Sequence, residues 1–154
     1  MVGLTNQHLG AFIRRRQKQS CGSRQLRGTP MTSLALSGRS ILVVEDEPLI
    51  ALDLRQSLES AGAYVFAATQ VPHALQLAGH PDLSAAILDY RLGQGDSKPI
   101  CSLLEQRGIP FVFYSGYDDM HEIWPSAVRV PKPADGHRLV DAVAGVLANY
   151  ARAA

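Results

Sequence analysis

The chain has 154 residues, 46% of them hydrophobic, and a formal net charge of +1. That length allows one domain, or one domain with a tail, and that apolar content is enough for a core. No apolar run approaches the roughly 20 residues of a membrane span, and Cys21 and Cys101 stand too far apart for a disulfide framework or a metal-ligand spacing, so a reduced, cytoplasmic protein is expected.

The charge is unevenly spread. Residues 1–40 carry seven basic residues (Arg14, Arg15, Arg16, Lys18, Arg24, Arg27 and Arg39) and no acidic one. The rest of the chain then holds eight basic residues against all 14 acidic ones, a balance of −6. Residues 1–38 read as a basic, poorly structured N-terminal extension, rich in Gln, Ser, Gly and Arg, with a short helix at most around His8 to Ile13. Met31 is an alternative start that would leave the following domain whole. An arginine-rich tail has the composition to touch nucleic acid or acidic lipid. A solvated tail accounts for it as well, and neither nucleic acid nor a membrane is expected as a partner.

A single domain is expected over residues 39–152. Ile41-Leu42-Val43-Val44 is a continuous apolar run and reads as a strand buried on both faces; it ends in Glu45-Asp46-Glu47. Pro48 suits the first turn of a helix. Ile50, Leu54, Leu58 and Ala61 follow at helical spacing, and Gly62 ends the run. Tyr64–Ala68 is the second strand and Ala74–Ala78 a short helix. Ala85-Ala86-Ile87-Leu88 is a third strand, stopped abruptly by Asp89-Tyr90-Arg91-Leu92-Gly93. A loop over Gly93–Lys98 leads to a helix from Pro99 to Arg107. Phe111–Tyr114 is the fourth strand, ending at Ser115-Gly116-Tyr117. A short, polar, poorly helical stretch runs from Asp118 to Pro125. Ala127–Val130 is the fifth strand, read as an edge strand because of Arg129, and it ends in Pro131-Lys132-Pro133. The last helix, Ala134–Tyr150, places Leu139, Val143, Val146, Leu147 and Tyr150 on its buried face.

Strict alternation of strand and helix predicts an α/β fold of five βα units, with a parallel sheet covered by helices on both faces. Such sheets keep their chemistry outside the carboxyl ends of the strands. Four of the five strands end there in residues fit for phosphate or metal work: Glu45 and Asp46, Asp89, Ser115, and Lys132. A flavodoxin-like strand order 2-1-3-4-5 makes the first and third strands neighbours, bringing Glu45, Asp46 and Asp89 together with Ser115 and Lys132 to one side. Taken singly, each residue has an ordinary explanation. Asp89 is a common turn residue, Glu45 and Asp46 suit a helix start, Ser115 suits a turn, and Lys132 suits solvent. Taken together they suit one chemistry. Clustered carboxylates resist full ionisation without a cation, and an all-oxygen, solvent-accessible set favours Mg²⁺. A lysine ammonium and a serine hydroxyl serve phosphoryl oxygens. An Asp among them is a candidate nucleophile for an aspartyl-phosphate.

These motifs resemble the receiver domain of two-component response regulators. Ile41–Pro48 is similar to that family's acidic first-strand motif, Ala86–Tyr90 to its phosphoacceptor strand, and Val130–Pro133 to its lysine-proline motif. The resemblance covers roughly residues 40–150. It implies that Asp89 accepts a phosphoryl group from a histidine kinase or a histidine phosphotransfer protein. It also implies that Asp46, Asp89 and the main-chain carbonyl of Arg91 ligate Mg²⁺, and that Glu45 acts through a water. Ser115 would then sense the phosphoryl group, Lys132 would pair with it, and the Lys132–Pro133 peptide bond would be cis. Phe113–Tyr117 resembles the Phe-Ala-Thr-Gly-Tyr signature of a divergent subgroup, called FATGUY, whose fourth helix is shortened or irregular. Arg129 falls where ordinary receivers carry a switch Tyr or Phe, which makes Arg129 and Tyr117 the switch candidates. The implied function is a stand-alone receiver, monomeric or weakly dimeric, that signals to a downstream protein by phosphorylation-dependent contact, with no separate turnover enzyme. The competing functions are a hydrolase of the aspartyl-phosphate phosphatase type and a receiver-like binding module that takes no phosphate. Against the hydrolase, Arg91 stands two residues after Asp89, where a second Asp would be needed as general acid. Against the inert module, all five site positions are filled by competent residues.

Overall fold

The computed structural model describes residues 34–93, 95–116, 124–125 and 127–153. Expectations for residues 1–33, for Tyr117 and for the irregular fourth helix over 118–123 lie outside the described residues.

The elements are β1 (Ser40–Val44), α1 (Pro48–Ser60), β2 (Tyr64–Ala68), α2 (Val71–Ala78), β3 (Ala85–Leu88), β4 (Arg91–Leu92), β5 (Gly95–Asp96), α3 (Lys98–Gln106), β6 (Phe111–Ser115), β7 (Val128–Pro131) and α4 (Gly136–Ala153). Five strands form one sheet in the order β2-β1-β3-β6-β7, every neighbouring pair parallel. Numbered among themselves, these are strands 2-1-3-4-5, the flavodoxin-like order expected from the sequence.

Successive strand residues face opposite sides of the sheet, and this sorts the core into two layers. Leu42, Val44, Ala86, Leu88 and Phe113 pack against Ala74 and Ala78 of α2 and Ile100, Cys101 and Leu104 of α3. Ile41, Val43, Ala85, Ile87, Val112, Tyr114 and Val130 pack against Leu54 and Leu58 of α1 and Leu139, Val140 and Val143 of α4. The central strands β1 and β3 are therefore buried on both faces, which is why their sequences are unbroken apolar runs. At the sheet's edge, β7 carries Arg129 opposite Phe113, on the face away from Val130.

Several details depart from expectation. The packed body reaches back to Leu36, which is fully buried and donates its N–H to the Ala61 carbonyl at 2.9 Å. Three residues of mixed polarity carry no periodicity, so this anchor gives no sequence signal. The α2 helix begins at Val71, not Ala74, with Pro72 in its first turn. The loop after Asp89 folds into a small antiparallel hairpin, β4 with β5, whose two-residue strands are too short to show an alternating pattern. Tyr150 is 44% exposed, contrary to its expected burial. The 18 residues of α4 span roughly 27 Å, while a five-residue strand spans about 17 Å, so the last turns of the helix run past the sheet. There the Tyr150 hydroxyl lies so close to Gly108, at φ +64°, that any side chain at residue 108 would collide with it.

Candidate functional site

The site is built where β1 and β3 end side by side. Asp89 donates its backbone N–H to the Val44 carbonyl at 2.8 Å, which sets it beside Glu45. Glu45, Asp46 and Asp89 each offer a carboxylate oxygen, and these oxygens lie within 4.8 Å of one another. The set is all oxygen and graded in depth: Glu45 is buried, Asp89 half-buried and Asp46 exposed. It fits a hard divalent cation that keeps part of its water.

At the start of α1, Glu45 Oε1 accepts the Glu47 N–H at 3.2 Å. Glu47 holds the N-cap position and makes no side-chain capping bond. The Asp46 carboxylate reaches across the chain instead, accepting the Gly93 N–H at 2.9 Å through Oδ2. Gly93 has φ +57°, a left-handed conformation that glycine adopts without steric cost. The hairpin thus fixes one acid from each side of its strand: Gly93 holds Asp46, and the Arg91 N–H reaches Asp89 Oδ1 at 3.3 Å.

Lys132 comes from the turn after β7 and does not lie to one side as expected. Its Nζ bridges two acids, at 2.6 Å from Glu45 Oε2 and 2.7 Å from Asp89 Oδ2. The Lys132 N–H donates to the Ser115 carbonyl at 3.2 Å, and the next peptide bond, Lys132–Pro133, is cis. Ser115 closes β6 and is buried. Glu45 accepts directly from the Lys132 ammonium.

The Lys132 ammonium bonds two of the three clustered carboxylates. Burial pushes the Glu45 carboxyl above its ordinary value; the Lys132 hydrogen bond and charge oppose this, and the Asp89 charge adds to it. For Lys132, burial is the largest single influence and acts downward, but the bonds and charges of Asp89 and Glu45 together outweigh it and raise the group. The two partners respond differently because Asp89 repels Glu45 and attracts Lys132, and because Glu45 is the more deeply buried, its side chain 2% exposed against 18%. Lys132 is therefore a firmly charged ammonium, and Glu45 is the carboxylate under strain.

The sequence reading missed Gly93 and Tyr114. The Tyr114 hydroxyl accepts the Ala134 N–H at 3.3 Å, and the Lys132 ammonium lies 5.2 Å from the centre of its ring. Only the adjacency of Tyr114 to Ser115 hinted at either contact. Arg129 stands apart from the acid cluster. Its Nε and Nη2 are buried with no hydrogen-bond partner among the described residues. Tyr117 lies outside those residues.

A family profile described as the response regulator receiver domain matches residues 41–144. The chain belongs to the response regulator receiver family. Solved receiver structures share the fold. A response regulator receiver protein from Sinorhizobium medicae is 24% identical, with a TM-score of 0.65, over 73% of this chain and 96% of that one. A CheY-like receiver domain protein from Methanospirillum hungatei is 20% identical, with a TM-score of 0.68, over 75% and 98%. The receiver domain of HemR from Leptospira biflexa, in its non-phosphorylated form, is 22% identical with a TM-score of 0.62, over 71% and 94%. No curated protein sequence matches the chain. Among the described residues, no helix of the receiver is long and apolar enough to cross a membrane.

Proposed function

We propose that this receiver takes a phosphoryl group on Asp89 from a phosphohistidine of a histidine kinase or phosphotransfer protein and signals through phosphorylation-dependent contact with another protein. The observation that carries this reading is the position of the Lys132 ammonium, 2.7 Å from Asp89 Oδ2 and inside the carboxylate cluster. A carboxylate oxygen of Asp89 attacks phosphorus, the P–O bond forms, and the P–N bond to the imidazole breaks. Lys132 then exchanges Asp89 for a phosphoryl oxygen, to which it contributes a point charge. Ser115, at the end of the neighbouring strand, is the hydroxyl assigned to another phosphoryl oxygen.

Asp46, Asp89 and the Arg91 carbonyl are the ligands we assign to Mg²⁺, with Glu45 acting through a water. When bound, the ion neutralises charge on the phosphoryl oxygens and on the acids. The chain's own contribution is positioning. Gly93 holds Asp46, and the Arg91 N–H holds Asp89.

The sequence Phe113-Tyr114-Ser115-Gly116-Tyr117 supports membership in the FATGUY subgroup. Arg129 supports a read-out other than the usual aromatic switch, since a charged side chain whose buried donors have no partner among the described residues occupies that strand position. The test is Asp89→Asn. Labelling by radioactive acetyl phosphate with Mg²⁺ is expected in the wild type and absent in the variant; labelling retained in the variant refutes the assignment.

A further inference from the structure

Tyr114 sits one residue before Ser115 on β6 and faces the α1–α4 layer, where it is buried. A buried tyrosine ordinarily finds a partner for its hydroxyl. Here the partner is the N–H of Ala134, two residues beyond Lys132. The same side chain presents its ring to the Lys132 ammonium, 5.2 Å from the ring centre, within cation–π range. Backbone contact between the same two segments comes from the Lys132 N–H to the Ser115 carbonyl. One side chain therefore touches the lysine segment twice, once at the ammonium and once on the chain after the cis bond.

The geometry points to Tyr114 as a positioning residue for Lys132. A lysine ammonium sits on a flexible four-carbon stem, and two of its three donors are taken by Glu45 and Asp89. When Asp89 is consumed, one of those anchors changes identity. The Tyr114 ring does not change, so it holds the ammonium at the phosphoryl side through the exchange. The hydroxyl keeps the Pro133–Ala134 segment against β6, which sets where the stem begins. An aliphatic residue of similar bulk fills the same core space and does neither. This inference rests on the proposed role of Lys132 at Asp89.

The experiment compares wild type, Tyr114→Phe and Tyr114→Leu by three measurements. These are the rate of labelling by acetyl phosphate at saturating Mg²⁺, the Mg²⁺ affinity from Trp124 fluorescence, and the water exchange of the Lys132 ζ-ammonium protons by NMR without phosphodonor. Tyr114→Leu is expected to slow labelling about 10-fold and Tyr114→Phe about threefold, with Mg²⁺ affinity within about twofold of wild type. Ammonium exchange should quicken in the same order. Wild-type labelling and exchange in the Leu variant overturn the inference. So does a Leu variant whose labelling and Mg²⁺ affinity fall in equal measure, since that marks general loosening. Should the Leu variant fail to fold, the exchange rate in Tyr114→Phe decides. If the wild type takes no label, faster exchange in the Leu variant still supports the positioning role while Asp89 loses its assignment; unchanged exchange removes both.

Discussion

Lys132 Nζ and Asp89 Oδ2 stand 2.7 Å apart although 43 residues separate them in the chain. The same ammonium holds Glu45 at 2.6 Å, so a single cation ties the ends of β1, β3 and β7 together. The site is thus held together by its own lysine. Under the proposed function, a phosphoryl group on Asp89 would compete for this existing bond to Lys132.

Lys132→Met removes the cation that Glu45 and Asp89 share. We expect a loss of about 1–3 kcal/mol in stability without metal, less than for a fully buried pair because the lysine is partly exposed. Urea unfolding at neutral pH measures it. Added Mg²⁺ should restore most of the loss while labelling of Asp89 stays depressed.

Glu45 predicts a pH dependence. Its carboxyl lies above 4.5 in the folded protein, chiefly because it is buried. The folded state therefore keeps a proton that the unfolded state has lost. Its contribution is fully present below about 4.5 and disappears as the pH rises through the folded value. Urea unfolding between pH 4 and 7 without metal should show this decline, and Glu45→Gln should flatten it. An equally steep decline in the Gln variant assigns the effect to other groups.

Cys101 is fully buried on α3, and burial pushes its thiol up to about 12 from 9.0. In a Cys21→Ser background, iodoacetamide at pH 8 should leave the native protein unlabelled and modify it only on unfolding. Raising the pH ionises the unfolded thiol first. Stability should then fall between about 9 and 12, by at most about 1.4 kcal/mol per pH unit from this group. Cys101→Ala should remove that part of the slope.

Gly93 holds Asp46 from a left-handed conformation. Gly93→Val is expected to cost about 1–2 kcal/mol in stability and to weaken Mg²⁺ binding, because the N–H to Asp46 moves with the strained backbone. Gly93→Asn tolerates the conformation better and should lie between the two. Calorimetric titration with Mg²⁺ gives the order directly.

Arg129 buries two guanidinium nitrogens that have no hydrogen-bond partner among the described residues. Arg129→Met keeps the stem and removes those donors, so the unphosphorylated receiver should gain about 1–2 kcal/mol. Thermal and urea unfolding check this. A destabilised variant means that the arginine is satisfied in solution, and the switch assignment weakens with it.

The sequence by itself determined the five-strand parallel fold and the identity of the acids and the lysine. Both follow from local rules. Central parallel strands are buried on two faces and so read as unbroken apolar runs, and a charged residue ending such a run must lie at the sheet's carboxyl edge. What lies between strands was decided by tertiary structure. Lys132 reaching into the cluster, Gly93 holding Asp46 and Tyr114 supporting Lys132 are contacts made across residues far apart in the chain. The same holds for Leu36 under α1 and for Tyr150 running past the sheet. None of these leaves a period or motif, because each depends on where a side chain's end arrives once neighbouring strands are in register. Residue type supplies the chemistry of this site, and the register of β1, β3, β6 and β7 supplies the distances at which it can act.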